Sequence, residues 1–316
     1  MREYALRRLF MMVPVIIGVT IIIFVLMRLI PGDVTTLMVG DRAQKEISDE
    51  LRTMLGLDQP LYTQYFVWVS HVARGDFGRS YLTKRPVFTD IANAIPVSAE
   101  LAIFAVVFAT LFGIPLGIVS AIRKNTWVDY VCRIWAISGI SIPTFWTATM
   151  FILITSLYFH WMPSPRYVSL WQDPVANLVQ FIIPALFLGY RSMGVYARMT
   201  RSTLLEVLHQ DYIRTAWAKG LRERVVIIRH ALKNGIIPVV TIGGNELAFL
   251  LGGAVITETI FSLPGMGRLL IESIARRDYP IVQAIILFIA VIVVFANLAV
   301  DLSYAWFDPR IRYRKS

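Results

Sequence analysis

The sequence predicts an all-α membrane protein of about six transmembrane helices. Three observations carry that reading: 56% of the 316 residues are hydrophobic, only 16% are charged, and the apolar residues are gathered into long runs. A soluble domain carries about 25% charged residues, so this chain is short of the polar surface that water requires. A helix rises about 1.5 Å per residue, and about 20 apolar residues cross a hydrocarbon core of about 30 Å.

Six segments meet that length. The first, residues 9–30, follows Arg7 and Arg8. It is longer than a secretory apolar region and no small-residue cleavage site follows Ile30, so it reads as an uncleaved span. Residues 97–122 and 134–159 form the second and third. The fourth, 178–196, contains Pro184, and the fifth, 236–257, contains the pairs Gly243-Gly244 and Gly252-Gly253. Such breakers are tolerated in membrane helices because neighbours satisfy the freed backbone groups. Residues 281–306 form the sixth.

Charge sets the orientation. The single cysteine, Cys132, excludes a disulfide within the chain, and the formal charge of +10 comes from basic residues that flank apolar runs. That is the membrane orientation signal and not a nucleic-acid surface. With the N-terminus inside, 19 of the 31 Lys and Arg fall on the inner side, nine of them between Arg191 and Lys233. Eight of the other twelve belong to residues 28–96, a long region that the positive-inside rule discounts. Both termini are therefore expected on the cytoplasmic side. Residues 31–96, mixed in charge and holding Tyr62, Tyr65, Trp68, Gly75 and Gly78, are expected to form a small ordered cap outside.

Polar residues inside spans are functional candidates because charge is costly in lipid. Glu246, beside Asn245 in the fifth span, either lines a polar path or makes a structural hydrogen bond to a neighbouring helix. Glu100, Asn297 and Asp301 lie near span ends or lack supporting context, and Arg28 is expected to snorkel outward. The four histidines fall in loops or at span ends and no H-E-x-x-H occurs, which argues against an intramembrane enzyme. No G-x-x-x-x-G-K-[ST] occurs either, so the sequence offers no phosphate loop of its own.

The inner segment 197–235 is strongly basic. Within it, Thr215, Ala216 and Ala218 are small and precede Gly220, and Val225 to Ile228 form an apolar run among Arg222, Arg224 and Arg229. A short helix, a glycine turn and a second helix with an exposed apolar ridge are expected. Physical chemistry alone leaves two readings open: a docking element for a cytoplasmic partner, or an interfacial helix on anionic headgroups.

The run from Asp211 to Asn234 reads DYIRTAWAKGLRERVVIIRHALKN. It resembles the cytoplasmic "EAA" loop of type I ABC importer permeases in its peptide-importer variant, D-Y-[IV]-R-T-A-x-A-K-G-L followed by [RK]-H-A-L-[KR]-N. Arg214-Thr215-Ala216 stand where the wider family has E-A-A, and Lys233 stands where it has proline. Leu29-Ile-Pro-Gly-Asp33, Leu55-Gly-Leu-Asp-Gln-Pro-Leu61, Gly75-Asp-Phe-Gly-Arg-Ser80 and Glu258-Thr-Ile-Phe-Ser-Leu-Pro-Gly-Met-Gly267 are also similar to dipeptide/oligopeptide permeases.

The resemblance implies the type I importer permease fold over residues 1–316 and an ATP-driven importer with peptide cargo. Family members also carry nickel chelates, glutathione or oligosaccharides, and an ATP-independent secondary transporter is the competing class. It implies a second related permease, cytoplasmic ABC ATPase subunits that bind ATP and Mg, and an extracytoplasmic substrate-binding protein, with no cofactor in this chain. Asp211, Arg214, Thr215, Ala216, Gly220, Leu221 and His230 would couple to the ATPase, with Gly220 as the turn that allows close approach. Asn245 and Glu246 would line the path, where Glu246 would meet a peptide's amino group. Arg79 and Arg268 would face the binding protein.

Overall fold

A computed structural model describes residues 2–29 and 58–307. Eleven helical segments occur among them: α1 (Arg2–Leu29), α2 (Leu61–Ala73), α3 (Val87–Ile122), α4 (Trp127–Ser141), α5 (Thr144–Phe159), α6 (Pro174–Leu208), α7 (Asp211–Ala218), α8 (Glu223–Gly235), α9 (Ile237–Ile260), α10 (Met266–Ala275) and α11 (Tyr279–Phe307). Among the described residues the one extended pairing is an isolated antiparallel bridge between Arg79 and Pro86. Among the described residues four helices are long and apolar enough to cross a membrane, or up to six spans if each of two bent pairs counts as one.

The third predicted span differs from expectation. It is two helices, α4 and α5, meeting at 95° across Ile142 and Pro143. Proline cannot donate to the helix ladder and pushes the residue before it out of the α region. Ile142 accordingly sits at φ −91°, ψ 126°. The fifth span shows the reverse: despite its glycine pairs, α9 runs unbroken for 24 residues. Pro184 is likewise held inside the 35-residue α6.

The chain divides into two compact units, one built from the residues up to Pro96 with Gly265–Phe295, the other from Val97–Pro264 with the residues after Phe295. In the first, α2 lies along α1. Phe24 packs edge-on against Tyr65 with centroids 5.5 Å apart, and Thr20 Oγ1 and Tyr65 OH are 2.9 Å apart. Arg28, expected to snorkel, is exposed, stacks over Phe24 and donates to Gln64 Oε1. The first turns of α3 (Val87, Ile91, Ala94) are buried against Met266 and against Ile281, Ala284 and Ile285 of α11. The expected outer cap, where described, is α2 and a turn over residues 74–86. Ser80 Oγ donates to the buried Asp278 carboxylate, which also accepts from the Tyr81 N–H at 3.0 Å. Residues 30–57, which include most of the two motifs at 29–33 and 55–61, lie outside the described residues.

In the second unit α6 is the central rod. Asp173 caps it, accepting from the Val175 and Ala176 N–H groups at 3.1 and 3.0 Å, and Pro174 occupies the first turn, where no donor is needed. Backbones touch along its length. A Cβ on Gly194 would stand 2.3 Å from the Ala136 carbonyl of α4, and one on Gly117 of α3 would stand 2.5 Å from the Ala197 carbonyl. Gly113, Gly139 and Gly189 make the same kind of approach. Small residues serve this purpose between membrane helices, where association depends on close packing and polar contacts.

One ion pair ties three of these elements together. Asp129 at the start of α4 is fully buried, and Arg201 of α6 forks onto it with both nitrogens at 2.9 Å. Ser120 Oγ of α3 donates to it at 2.6 Å and the Asn125 N–H at 3.0 Å. Breaking such a pair strands a charge and costs about 3–5 kcal/mol, whereas replacing both partners by apolar groups of like volume is near neutral. Asp129→Ala should therefore abolish or sharply reduce folded yield in detergent. The double substitution Asp129→Leu with Arg201→Met should recover most of it, read by size exclusion and thermal melting.

Candidate functional site

The segment after α6 folds back as two short helices on one apolar seat. Asp211 lies in the first turn of α7, where a negative side chain meets the positive end of the helix dipole. Gly220 ends the turn at φ +73°, its N–H donating to the Trp217 carbonyl at 2.9 Å. That left-handed conformation is what requires glycine there. A Cβ on Gly220 would meet nothing within 4 Å, so within this chain the residue is needed for its φ and not for room.

The two faces of α7 differ. Ile213 and Ala216 are buried with Leu204, Val226, Ile227 and Ala231, and Leu221 packs at the edge of that cluster. Asp211, Tyr212, Arg214, Thr215, Trp217, Ala218 and Lys219 are exposed. Thr215 and Ala216, expected to act as one small surface, therefore point to opposite sides. Asp211 and Arg214 pair at 3.4 Å with both side chains largely in solvent, a contact worth little.

The expected second helix is α8, but its apolar run is split between inside and outside. A π turn over Val226–Ala231 buries Val226, Ile227 and Ala231, and leaves Val225 and Ile228 on the surface. An i to i+5 repeat brings Val226 and Ala231 to one side, which an ordinary α turn would offset. His230 is half-buried. The exposed ridge is thus Val225 and Ile228 alone. Thr203 Oγ1 of α6 donates to the Gly235 carbonyl at 2.7 Å, and Asn234 Nδ2 donates to Tyr212 OH at 2.8 Å, which fixes α8 to α6 and to α7.

Glu246 occupies the other candidate position. Its carboxylate is buried and fully engaged: Arg191 Nη1 lies 3.1 Å from each oxygen and Ser192 Oγ donates at 2.6 Å. The Asn245 side chain lies outside the described residues. Arg191 escaped notice because charge counting assigned it to the inner loop. It sits midway along α6, inside an apolar stretch, where a lone cation is itself the signal. Asp129 and Asp278 were also missed, since each borders a span and gains its partners only through tertiary packing. Glu100, set aside for want of context, accepts from Tyr167 OH at 2.8 Å and from Asn177 Nδ2 at 2.7 Å.

Arg79 and Arg268, both expected to face the binding protein, make separate contacts. Arg79 is exposed and its guanidinium donates to the Lys84 carbonyl at 3.4 Å. Arg268 pairs with Glu272 one turn along α10 at 2.8 Å.

Comparison with known proteins matches residues 113–313 to the family described as binding-protein-dependent transport system inner membrane component, and residues 1–102 to the N-terminal region of the same family. A dipeptide transport system permease protein of Alkalihalophilus pseudofirmus is 41% identical, with 99% of this chain and all of the relative aligned. Glutathione transport system permease proteins of Salmonella choleraesuis and Escherichia coli K12 are 40% and 39% identical over the same shares. Among solved structures, an amino acid ABC transporter with histidines aligns at TM-score 0.53 and 14% identity, covering 68% of this chain and 92% of the other, a likeness of fold.

The two alanines of α7 make a paired test of its seating. Leucine at the buried position 216 overpacks the cluster, which costs about 1–3 kcal/mol. Ala216→Leu should lower the melting temperature of the purified protein, while Ala218→Leu on the exposed face leaves it unchanged.

Proposed function

The chain belongs to the binding-protein-dependent transport system inner membrane components, and from that premise we propose that it is the membrane-spanning permease of an ATP-driven peptide importer. Cargo delivered by an extracytoplasmic binding protein would pass into the cytoplasm. Full-length similarity near 40% to permeases named for dipeptide and glutathione transport is the observation that carries the substrate class. Glutathione is itself a small peptide, so the second name specifies a cargo within the same chemistry.

In this reading both termini are cytoplasmic, with residues 31–96 outside and residues 197–235 inside as the coupling loop of a single permease domain spanning 1–316. Separate ATPase subunits bind ATP and Mg and perform hydrolysis. A second, homologous permease completes the path. Arg79 and Arg268 belong to the face that meets the binding protein, and Asn245 and Glu246 to the inward path. In that path Glu246, already engaged by Arg191, acts as a positioning group and not as the free counter-charge for a peptide amine.

The geometry supports a route for the mechanical step. An ATPase would grip the exposed face of α7 through Asp211, Arg214, Thr215, Trp217 and Ala218. Gly220, Leu221 and His230 keep α7 and α8 in register behind that face. A load on α7 reaches Leu204 of α6 through Ile213 and Ala216. It reaches α9 through α8, which is hydrogen-bonded to α6 at Thr203 and continues into α9 across a 43° bend. Interiors packed at crystalline density transmit displacement with little loss.

Charge reversal with loss of the ring (Arg214→Glu with Trp217→Ala) should leave folding and membrane insertion intact. Peptide uptake and binding-protein-stimulated ATP hydrolysis in proteoliposomes should fall by about tenfold or more, since truncating central aromatic and Arg anchors costs about 2 kcal/mol or more. Normal stimulated hydrolysis in this variant would place the ATPase contact elsewhere.

A further inference from the structure

The charged side chains of the second unit sort by how completely they are enclosed. Asp129 and Arg201 close on each other, with the remaining carboxylate capacity filled by Ser120 and the Asn125 N–H. Arg191 and Glu246 do not close in this way. The Glu246 side chain is 9% exposed and that of Arg191 is 29% exposed. Both oxygens of the carboxylate meet a single guanidinium nitrogen, Nη1. Among the described residues no acceptor takes Nε or Nη2. The pair is neutral as a whole, yet the part of it that reaches the surface is positive.

The surroundings hold that positive edge still. Arg191 Cζ lies 3.6 Å from the centroid of the Phe249 ring, so the guanidinium plane is stacked, and Glu246 fixes its orientation. Phe249 is itself 42% exposed, and one helical turn further along α9 a Cβ on Gly252 would meet nothing within 4 Å. A part-exposed cation in an apolar stretch does not suit lipid tails, and ionisable groups in spans face the bundle interior or a water-filled cavity. The free edge of a guanidinium presents two parallel donors spaced for a carboxylate.

We propose that Arg191 forms a substrate subsite of this permease that takes the terminal carboxylate of a peptide in passage, with Glu246 and Phe249 as positioning residues. The inference rests on the peptide-import reading and adds the polarity of recognition: the path reads the acid end of the cargo and not its amine. Because one nitrogen is committed to Glu246, the subsite holds the carboxylate by one edge only, which suits a site that must also release.

The test uses the complete transporter in proteoliposomes with its ATPases and binding protein, offered trialanine and trialanine C-terminal amide. The binding protein's own affinities for the two are measured separately and are common to all variants. Arg191→Gln strands Glu246, so the informative variant is Arg191→Gln with Glu246→Gln, alongside Arg191→Lys. The wild type should favour the free acid. In the double variant the acid-to-amide uptake ratio should fall about tenfold, as expected for one charged hydrogen-bonding contact. Arg191→Lys should fall between. Equal loss for both peptides, the result for a contact with the second permease or a purely structural pair, overturns the subsite. So does an unchanged acid-to-amide ratio. Wild-type uptake of neither peptide, with ATP hydrolysis intact, overturns the peptide reading and the subsite with it.

Discussion

The second unit depends on how closely other helices can approach α6. Lipid tails are as apolar as leucine, so hydrophobicity alone does not hold one membrane helix to another. What holds them here is backbone contact at Gly113, Gly117, Gly139, Gly189 and Gly194, where any side chain would collide with a carbonyl oxygen. The same close approach lets short polar groups reach across. Ser120 reaches Asp129 at 2.6 Å and Ser192 reaches Glu246 at 2.6 Å. Close packing and polar pairing are therefore one device, since neither geometry survives if the helices separate by the width of a methyl group.

From this follows the way the segment after α6 is mounted. A short helix on a floppy tether would move without moving anything else. α7 and α8 avoid that by burying Ile213, Ala216, Val226, Ile227 and Ala231 against Leu204 of α6 and Ala121 of α3. The π turn serves this seat, because its wider repeat brings Val226 and Ala231 to one side while Val225 and Ile228 remain outside. The residues that seat this segment and those left exposed alternate along one sequence.

That alternation explains what was legible beforehand. Long apolar runs disclosed the spans, and the pattern around Gly220 disclosed the short helix, glycine turn and second helix, since both are local properties. The facing of α7 was not legible: an eight-residue helix with alanines on both sides gives no unambiguous apolar stripe, so Thr215 and Ala216 read as one surface. The kink between α4 and α5 was within reach, because Ile142-Pro143 carries a local steric rule, but hydropathy over residues 134–159 outweighed it. Asp129 and Asp278 were out of reach, because what makes them structural is a partner far along the chain.

At Glu246 the charge that the sequence suggests is not the charge that the structure presents. Sequence offers a carboxylate in a span, and the natural inference is a negative site awaiting a cation. Burial decides otherwise. The carboxylate is the member of the pair withdrawn into the protein, while the guanidinium, longer and more weakly hydrated, extends past it and stacks on Phe249. A charge deep in a low-dielectric setting is compensated by its nearest partner, so what the pair shows to its surroundings is whichever partner reaches further. Reading an intramembrane acid therefore requires its counter-ion first. In this chain that counter-ion, Arg191, lay hidden midway along α6, because charge counting had already assigned it to the loop.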